Sequence, residues 1–390
     1  MQLDELSPQA LRDRYGYSGK WHFYPEDVLP MWVADMDFPI SPAITQAIVE
    51  RLQERVGYPQ TKGDKQLLEL IVQQQQRYGL EGLTPDNLLL TTSVVPAIYA
   101  SVLALSSPGD EVITQVPVYH PFLNALTEHH RIARHNPLRP TLNSWEIDFE
   151  QLERLVTPRT RLLMLCNPQN PTGRVFRRDE LEQLAEFALR HRLWVMSDEL
   201  WADLIYEGQH IPVASLDPEI AQRTVTLTGP GKAYNTAGLG GGVAISHNQQ
   251  ILAAMAQVSK GLGGHPNVLS MAAWRAALEH AQDWLQEVRA YLKGNRDFIT
   301  GFMQQNLPQV GYRPPQGTYL AWFDFSGTPF AQQAHKVVLE QAKVGLNDGK
   351  MFGPQYQGWL RLNFATSRRL LQEALERIAR VVEAAERRLL

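Results

Sequence analysis

The chain has 390 residues, 44% of them hydrophobic and 20% charged, with 37 Lys+Arg against 41 Asp+Glu for a formal charge of -4. That balance excludes the disordered and collagenous classes, and with no basic block to displace counterions it argues against a nucleic-acid partner. No apolar run approaches the roughly 18 residues that cross a bilayer, and the opening MQLDELSPQALRDRYG carries no apolar leader, so no membrane association and a cytoplasmic location are expected.

Taken in chain order, the QQQQ tract at Gln73 to Gln76 reads as a solvated helix face. Then apolar runs with strand character alternate with helical stretches: NLLLTT, helical VPAIYASVLALSS, DEVITQVP, TRLLMLCNP, helical RDELEQLAEFALRHR, LWVMSDE, TVTLTG and GGVAIS. This order predicts βα units around a mostly parallel sheet, a doubly wound α/β layer. Between them, His129, His130 and His135 in EHHRIARH have no H-E-x-x-H spacing or carboxylate partner and read as a solvated helix, not a metal site. Near residue 265 the pattern becomes one long helical stretch, followed by the strands TYLAWFDF and WLRLNFA and a charged helix to Leu390. Cores stop growing near roughly 250–300 residues, so two domains are expected, an α/β layer and a smaller α+β unit. The one cysteine, Cys166, excludes an internal disulfide and reads as a packed strand residue.

In an α/β layer ligands collect beyond the carboxyl ends of strands. Four places qualify: Ser93 after LLLTT, Asn167 to Gly173 in NPQNPTG, Asp198 in SDELWAD, and Lys232 after TVTLTG. Most lone lysines are solvated charges, but a loop lysine behind an apolar strand is partly desolvated, which favours the nucleophilic amine and makes Schiff-base chemistry accessible. A P-loop would need glycine at Thr226 and a hydroxyl at Ala233, and GLGGG lacks the dinucleotide-binding spacing. Asp198 is open to two readings, a helix cap or a carboxylate aimed at a cofactor nitrogen. NPQNPTG is compatible with an ordinary turn, although two Asn-Pro steps in one short segment are unusual.

The order NPQNPTG, SDE, GKAYNTAGL and RLNFA resembles the fold-type I pyridoxal-phosphate enzymes of the class I/II aminotransferase superfamily over nearly the whole chain. The segments LPMWVADMDFPISPAI and GYPQTKGDKQLLELI resemble the cystathionine β-lyase (C-S lyase) branch. The resemblance implies an N-terminal arm with part of the small domain at 1–45, a large cofactor-binding domain at 46–284 and a small domain at 285–390. It implies pyridoxal 5'-phosphate held by Lys232, which also moves protons at the substrate Cα. Asp198 would pair the pyridine nitrogen, Asn170 would donate to the phenolic oxygen, and Tyr119 would stack on the ring. Ser93, Val94 and Thr228 would serve the phosphate. Tyr58 would reach the phosphate of a second subunit, implying a homodimer with shared sites. Arg361, with Asp35 and Asn170, would meet the substrate, Arg361 gripping its α-carboxylate.

Three positions depart from that pattern. Gly229-Pro230-Gly231 stands where relatives carry serines around the phosphate, Gly240 where many aminotransferases carry an arginine, and Trp201 where relatives carry tyrosine or histidine. The missing arginine fits the lyase branch. The expected activity is therefore β-elimination from cystathionine, cysteine or cysteine S-conjugates, giving thiol, pyruvate and ammonia. The alternative is an aminotransferase using the same parts on an amino acid and a 2-oxo acid. A third reading, a non-catalytic regulatory member, is opposed by the retention of Lys232, Asp198, Asn170 and Arg361.

Overall fold

Seven strands form one sheet in the computed structural model, which describes residues 7–14, 16, 18–54, 56–60, 63–264 and 266–388. The strands are β1 Leu88–Thr91, β2 Glu111–Val116, β3 Ile132–Pro137, β4 Thr160–Cys166, β5 Trp194–Asp198, β6 Thr224–Thr228 and β7 Gly242–Ile245. Their spatial order is β1-β7-β6-β5-β4-β2-β3. Strands β2 to β6 run parallel, and β7 is antiparallel to both of its neighbours. The central strands are covered on both faces, and β2 and β6 are buried at every residue, their polar side chains included.

Strand β3 corrects the reading of EHHRIARH as one helix. His129 closes the helix His120–Glu128, His130 turns the chain with a φ of 61, and His135 lies on the sheet's edge strand. An edge strand carries polar residues because one side has no partner strand to exclude water. No group of three or more metal-ligating side chains occurs among the described residues. The QQQQ tract is also corrected: Gln74 and Gln75 are buried, and Gln74 donates from Nε2 to Asp203 Oδ2 at 2.9 Å.

Beyond β7, the long helical stretch breaks at Ala281 into Val268–His280 and Gln282–Asn306, so one helix runs across residues 284 and 285. An antiparallel sheet follows, β8 Gly311–Tyr312, β9 Leu320–Asp324, β10 Asn347–Asp348 and β11 Trp359–Asn363, in the order β8-β9-β11-β10. The helix Arg368–Arg387 covers it, burying Leu371, Leu375 and Ile378 on one face at helical spacing. No helix among the described residues is long and apolar enough to cross a membrane.

The segment Trp32 to Phe38 has no regular structure and forms a strap between the two sheets. Irregular buried backbone must find other partners for its carbonyls, and here side chains supply them. Asn235 donates to Met36 and Phe38 at 3.1 and 2.8 Å, and Asn363 donates to Val33 and Asp35 at 2.6 and 2.7 Å. The strap is thereby fastened both to the loop after β6 and to β11.

Candidate active site

Parallel strands deliver their carboxyl ends to one edge of a sheet. Ser93 follows β1, Tyr119 follows β2, Asn170 follows β4, Asp198 ends β5 and Lys232 follows β6. Because β7 runs the other way, its beginning reaches the same edge and brings Gly240 and Gly241. These residues line one cavity of about 340 Å³ with Val94, Trp201 and Arg361, closed on one side by Trp32, Val33 and Ala34 of the strap.

Lys232 is enclosed at the centre. Its Nζ donates to the Ala34 carbonyl at 2.8 Å and lies 5.7 Å from the centroid of the Trp201 ring. Burial pushes its pKa down to about 8, against the smaller opposing pull of the Asp35 carboxylate, so an appreciable fraction of the amine is free near neutral pH. Asp198 is buried, its Oδ1 accepting from the Leu200 N–H at 3.1 Å. Burial raises its pKa to about 7, and among the described residues no cation lies within ion-pair distance of it. A buried carboxylate without a counter-charge is costly unless a cation arrives.

Arg361 mirrors this. Its guanidinium is buried and meets only neutral acceptors: Asn170 Oδ1 at 3.0 Å, the Trp32 carbonyl at 2.9 Å and Asn347 Oδ1 at 2.5 Å, with the Phe352 ring 5.0 Å away. Its Nε is buried without a partner. Burial lowers its pKa to about 10, so it stays charged at neutral pH. A fixed planar cation with open donor capacity is suited to a carboxylate.

At the opposite wall, Ser93 precedes the helix Val94–Leu105, its hydroxyl capping none of the helix's N–H groups. Unpaired amides at a helix start form an anion site. The glycines explain how the loop after Lys232 reaches it. A Cβ on Gly229 would lie 2.8 Å from the Gly241 carbonyl oxygen. Gly240 has a φ of +75, a Cβ there would lie 2.6 Å from the Thr92 carbonyl oxygen, and the next amide, Gly241, donates to that oxygen at 2.7 Å.

Three expected residues do not line this cavity. The hydroxyl of Thr228 turns to the Glu199 carbonyl at 3.5 Å. Asp35 faces a neighbouring cavity with Trp21 and Asp37, while the preceding residue, Ala34, faces Lys232. Tyr58 is 100% exposed. Conversely, Tyr319 belongs to the site's support: it is buried, donates to the Ala34 carbonyl at 3.1 Å and packs edge-on against Trp201 at 4.7 Å. The pattern TYLAWFDF marks it only as a strand residue, and nothing local marks Asn347.

The chain belongs to the aminotransferase class I and II family, whose model matches residues 26–378. Within it, the chain is 37% identical over 359 residues to the cystathionine beta-lyase PatB of Bacillus subtilis, covering 90% of this chain and 92% of that one. It is 32% identical to a cystathionine beta-lyase of Corynebacterium glutamicum, covering 93% and 96%. Among solved structures it is similar to cystalysin from Treponema denticola, which contains pyridoxal 5'-phosphate, with a TM-score of 0.91, 28% identity and coverage of 98% of each chain.

Proposed function

We propose that the protein is a pyridoxal 5'-phosphate-dependent carbon-sulfur β-lyase, releasing thiol, pyruvate and ammonia from cystathionine, cysteine or cysteine S-conjugates. The observation that carries the reading is the set of incomplete charges around Lys232: a buried carboxylate, Asp198, without a cation, and a buried guanidinium, Arg361, without an anion. A cofactor with a ring nitrogen that takes a proton would complete the first, and an α-amino acid carboxylate the second.

The residues present fit that cofactor. Lys232 would hold it, Asp198 would keep its ring nitrogen protonated, and Tyr119 would pack on the ring face. Asn170 would donate from Nδ2 to the phenolic oxygen, since its Oδ1 is taken by Arg361. Ser93, Val94 and the amides beside them would receive the phosphate; among the described residues, Lys232 and Arg361 are the only lysine and arginine in the wall. Tyr58 of a second subunit would add a donor there, and the homodimer this requires is part of the proposal, supported by the exposure of Tyr58. A cytoplasmic location accompanies it, in keeping with one buried cysteine in 390 residues.

When bound, the cofactor supplies an electron-withdrawing ring that takes up charge from the substrate Cα. Arg361 holds the α-carboxylate and so fixes which Cα bond faces Lys232. Lys232 takes the Cα proton as general base. The Cβ–S bond then breaks with its electron pair on sulfur, and hydrolysis of the remaining three-carbon fragment gives pyruvate and ammonia. The strap and Trp201 narrow the access of water to the amine.

The test is pyruvate release from L-cystathionine by cofactor-loaded protein, with visible absorbance followed in parallel. Pyruvate in stoichiometric excess over enzyme is expected, and Lys232→Ala is expected to lose about a thousandfold in rate. Spectral change without pyruvate would instead indicate transamination.

A further inference from the structure

Two titratable side chains in the cavity wall, Cys166 and His120, have no part in these steps, and His120 carries the inference. His120 opens the helix His120–Glu128 and lines the cavity beside Tyr119, their ring centroids 4.9 Å apart. Its place along the wall is set by Phe352, whose ring centroid is 6.5 Å from the imidazole and 5.0 Å from the Arg361 guanidinium carbon. His120 therefore stands on the side where Arg361 would hold the substrate.

The two ring nitrogens differ. Nδ1 is buried without a hydrogen-bond partner. Nε2 bonds no protein group among the described residues and is not shut away, so it is the nitrogen left to meet a group in the cavity. An imidazolium would strand a polar N–H at Nδ1, whereas a neutral ring protonated on Nε2 leaves only a lone pair unsatisfied there, the less costly arrangement. Burial and the Arg361 charge also oppose the cation, as does the positive end of the helix dipole.

We propose that His120 is a catalytic residue of the β-elimination, a neutral Nε2–H donor to the sulfur leaving Cβ. This deepens the lyase reading and rests on it. As the Cβ–S bond breaks, both electrons pass to sulfur, and Lys232 already carries the Cα proton. His120 keeps its own proton and strengthens its hydrogen bond to the forming thiolate, which takes a proton from water on release. The donor acts where charge develops, so it lowers the barrier more than it tightens binding. Its importance grows with the basicity of the thiolate, so S-alkyl cysteines depend on it most.

The experiment compares wild type, His120→Phe and His120→Gln, at equal bound cofactor, on S-substituted cysteines whose thiols range from alkyl to nitroaryl. With S-alkyl substrates His120→Phe is expected to lose about 100-fold in kcat/KM, the scale of one preorganised donor. With S-nitroaryl substrates, whose thiolates leave unaided, the loss is expected to stay under about threefold. His120→Gln keeps an N–H and recovers most of the activity. L-Alanine, which has no sulfur, binds all three equally by visible titration. If the larger ring prevents folding, His120→Leu makes the same comparison. A loss uniform across the series, or a Gln variant no better than Phe or Leu, overturns the proposal. Pyruvate from wild type would sustain the lyase reading even then, whereas no pyruvate from wild type with any member would overturn both.

Discussion

Lys232 and Tyr319 donate to one carbonyl oxygen, that of Ala34, at 2.8 and 3.1 Å. The two donors flank strands of different sheets, Lys232 after β6 and Tyr319 just before β9, so the strap is pinned where the amine sits. With Lys232 bound to the cofactor as proposed, Tyr319 would be the donor that stays. Tyr319→Phe is therefore expected to cost about 1 kcal/mol, the net worth of a neutral buried hydrogen bond, read by urea unfolding of the holoprotein.

In the apoprotein, Lys232 and Asp198 give two opposed pH dependences. Lys232 is held down to about 8 from 10.5, so between those values the unfolded chain binds a proton that the native state lacks. Its contribution to stability is present above the unfolded value and is lost as pH falls through about 8. Asp198 is raised from 3.8 to about 7, so in that window the native state holds the extra proton. Its contribution is present below the unfolded value and is lost as pH rises through about 7. Each slope approaches about 1.4 kcal/mol per pH unit for one proton. Urea unfolding of the apoprotein across pH is expected to show the acid limb removed by Asp198→Asn and the alkaline limb by Lys232→Met. Asp198→Asn is also expected to weaken cofactor binding by about 100-fold, since it removes one partner of a buried pair.

Arg361→Lys keeps the charge and loses the planar fork. With Asn170 and Asn347 arranged around a guanidinium, a lysine cannot reproduce both contacts and still present two donors to a carboxylate. Steady-state kinetics are expected to show KM raised by about 10- to 100-fold, a cost of about 1.4 to 3 kcal/mol.

Gly240→Ala tests the close approach of the loop to Thr92. A Cβ there meets the Thr92 carbonyl oxygen at 2.6 Å on a backbone with a φ of +75. The expected destabilisation is about 1–3 kcal/mol, seen as a lower Tm, together with weaker cofactor retention because the same loop lines the phosphate wall. Arginine at this position meets the same obstacle.

The alternation of strands and helices, and the polar residues just beyond each strand, were legible because parallel strands share one carboxyl edge. Ser93, the Asn167 to Gly173 segment, Asp198 and Lys232 could be grouped on that ground alone, whereas Tyr119 and the choice of Asn170 within its segment came from the family resemblance. The β3 strand was not legible: an edge strand lacks the unbroken apolar run of a covered one, and EHHRIARH carries the polarity of a solvated helix. The Gln73 to Gln76 run misled for the opposite reason, since Gln74 is buried through an acceptor, Asp203, far along the chain.

Sequence by itself determined the order of the elements other than β3 and the chemistry at their ends, because both follow from local patterning and from side-chain type. Tertiary structure alone decided that Ala34 and not Asp35 faces Lys232, that Thr228 turns away, and that Tyr319 and Asn347 support the site. It also decided the charge state of the centre. The pKa values of Lys232 and Asp198 are set by how much water is excluded around them, and the segments that wall them in, the strap and β11, lie far from Lys232 in the chain, the strap nearly 200 residues away. Desolvation is a property of the packed whole, and no local pattern encodes it.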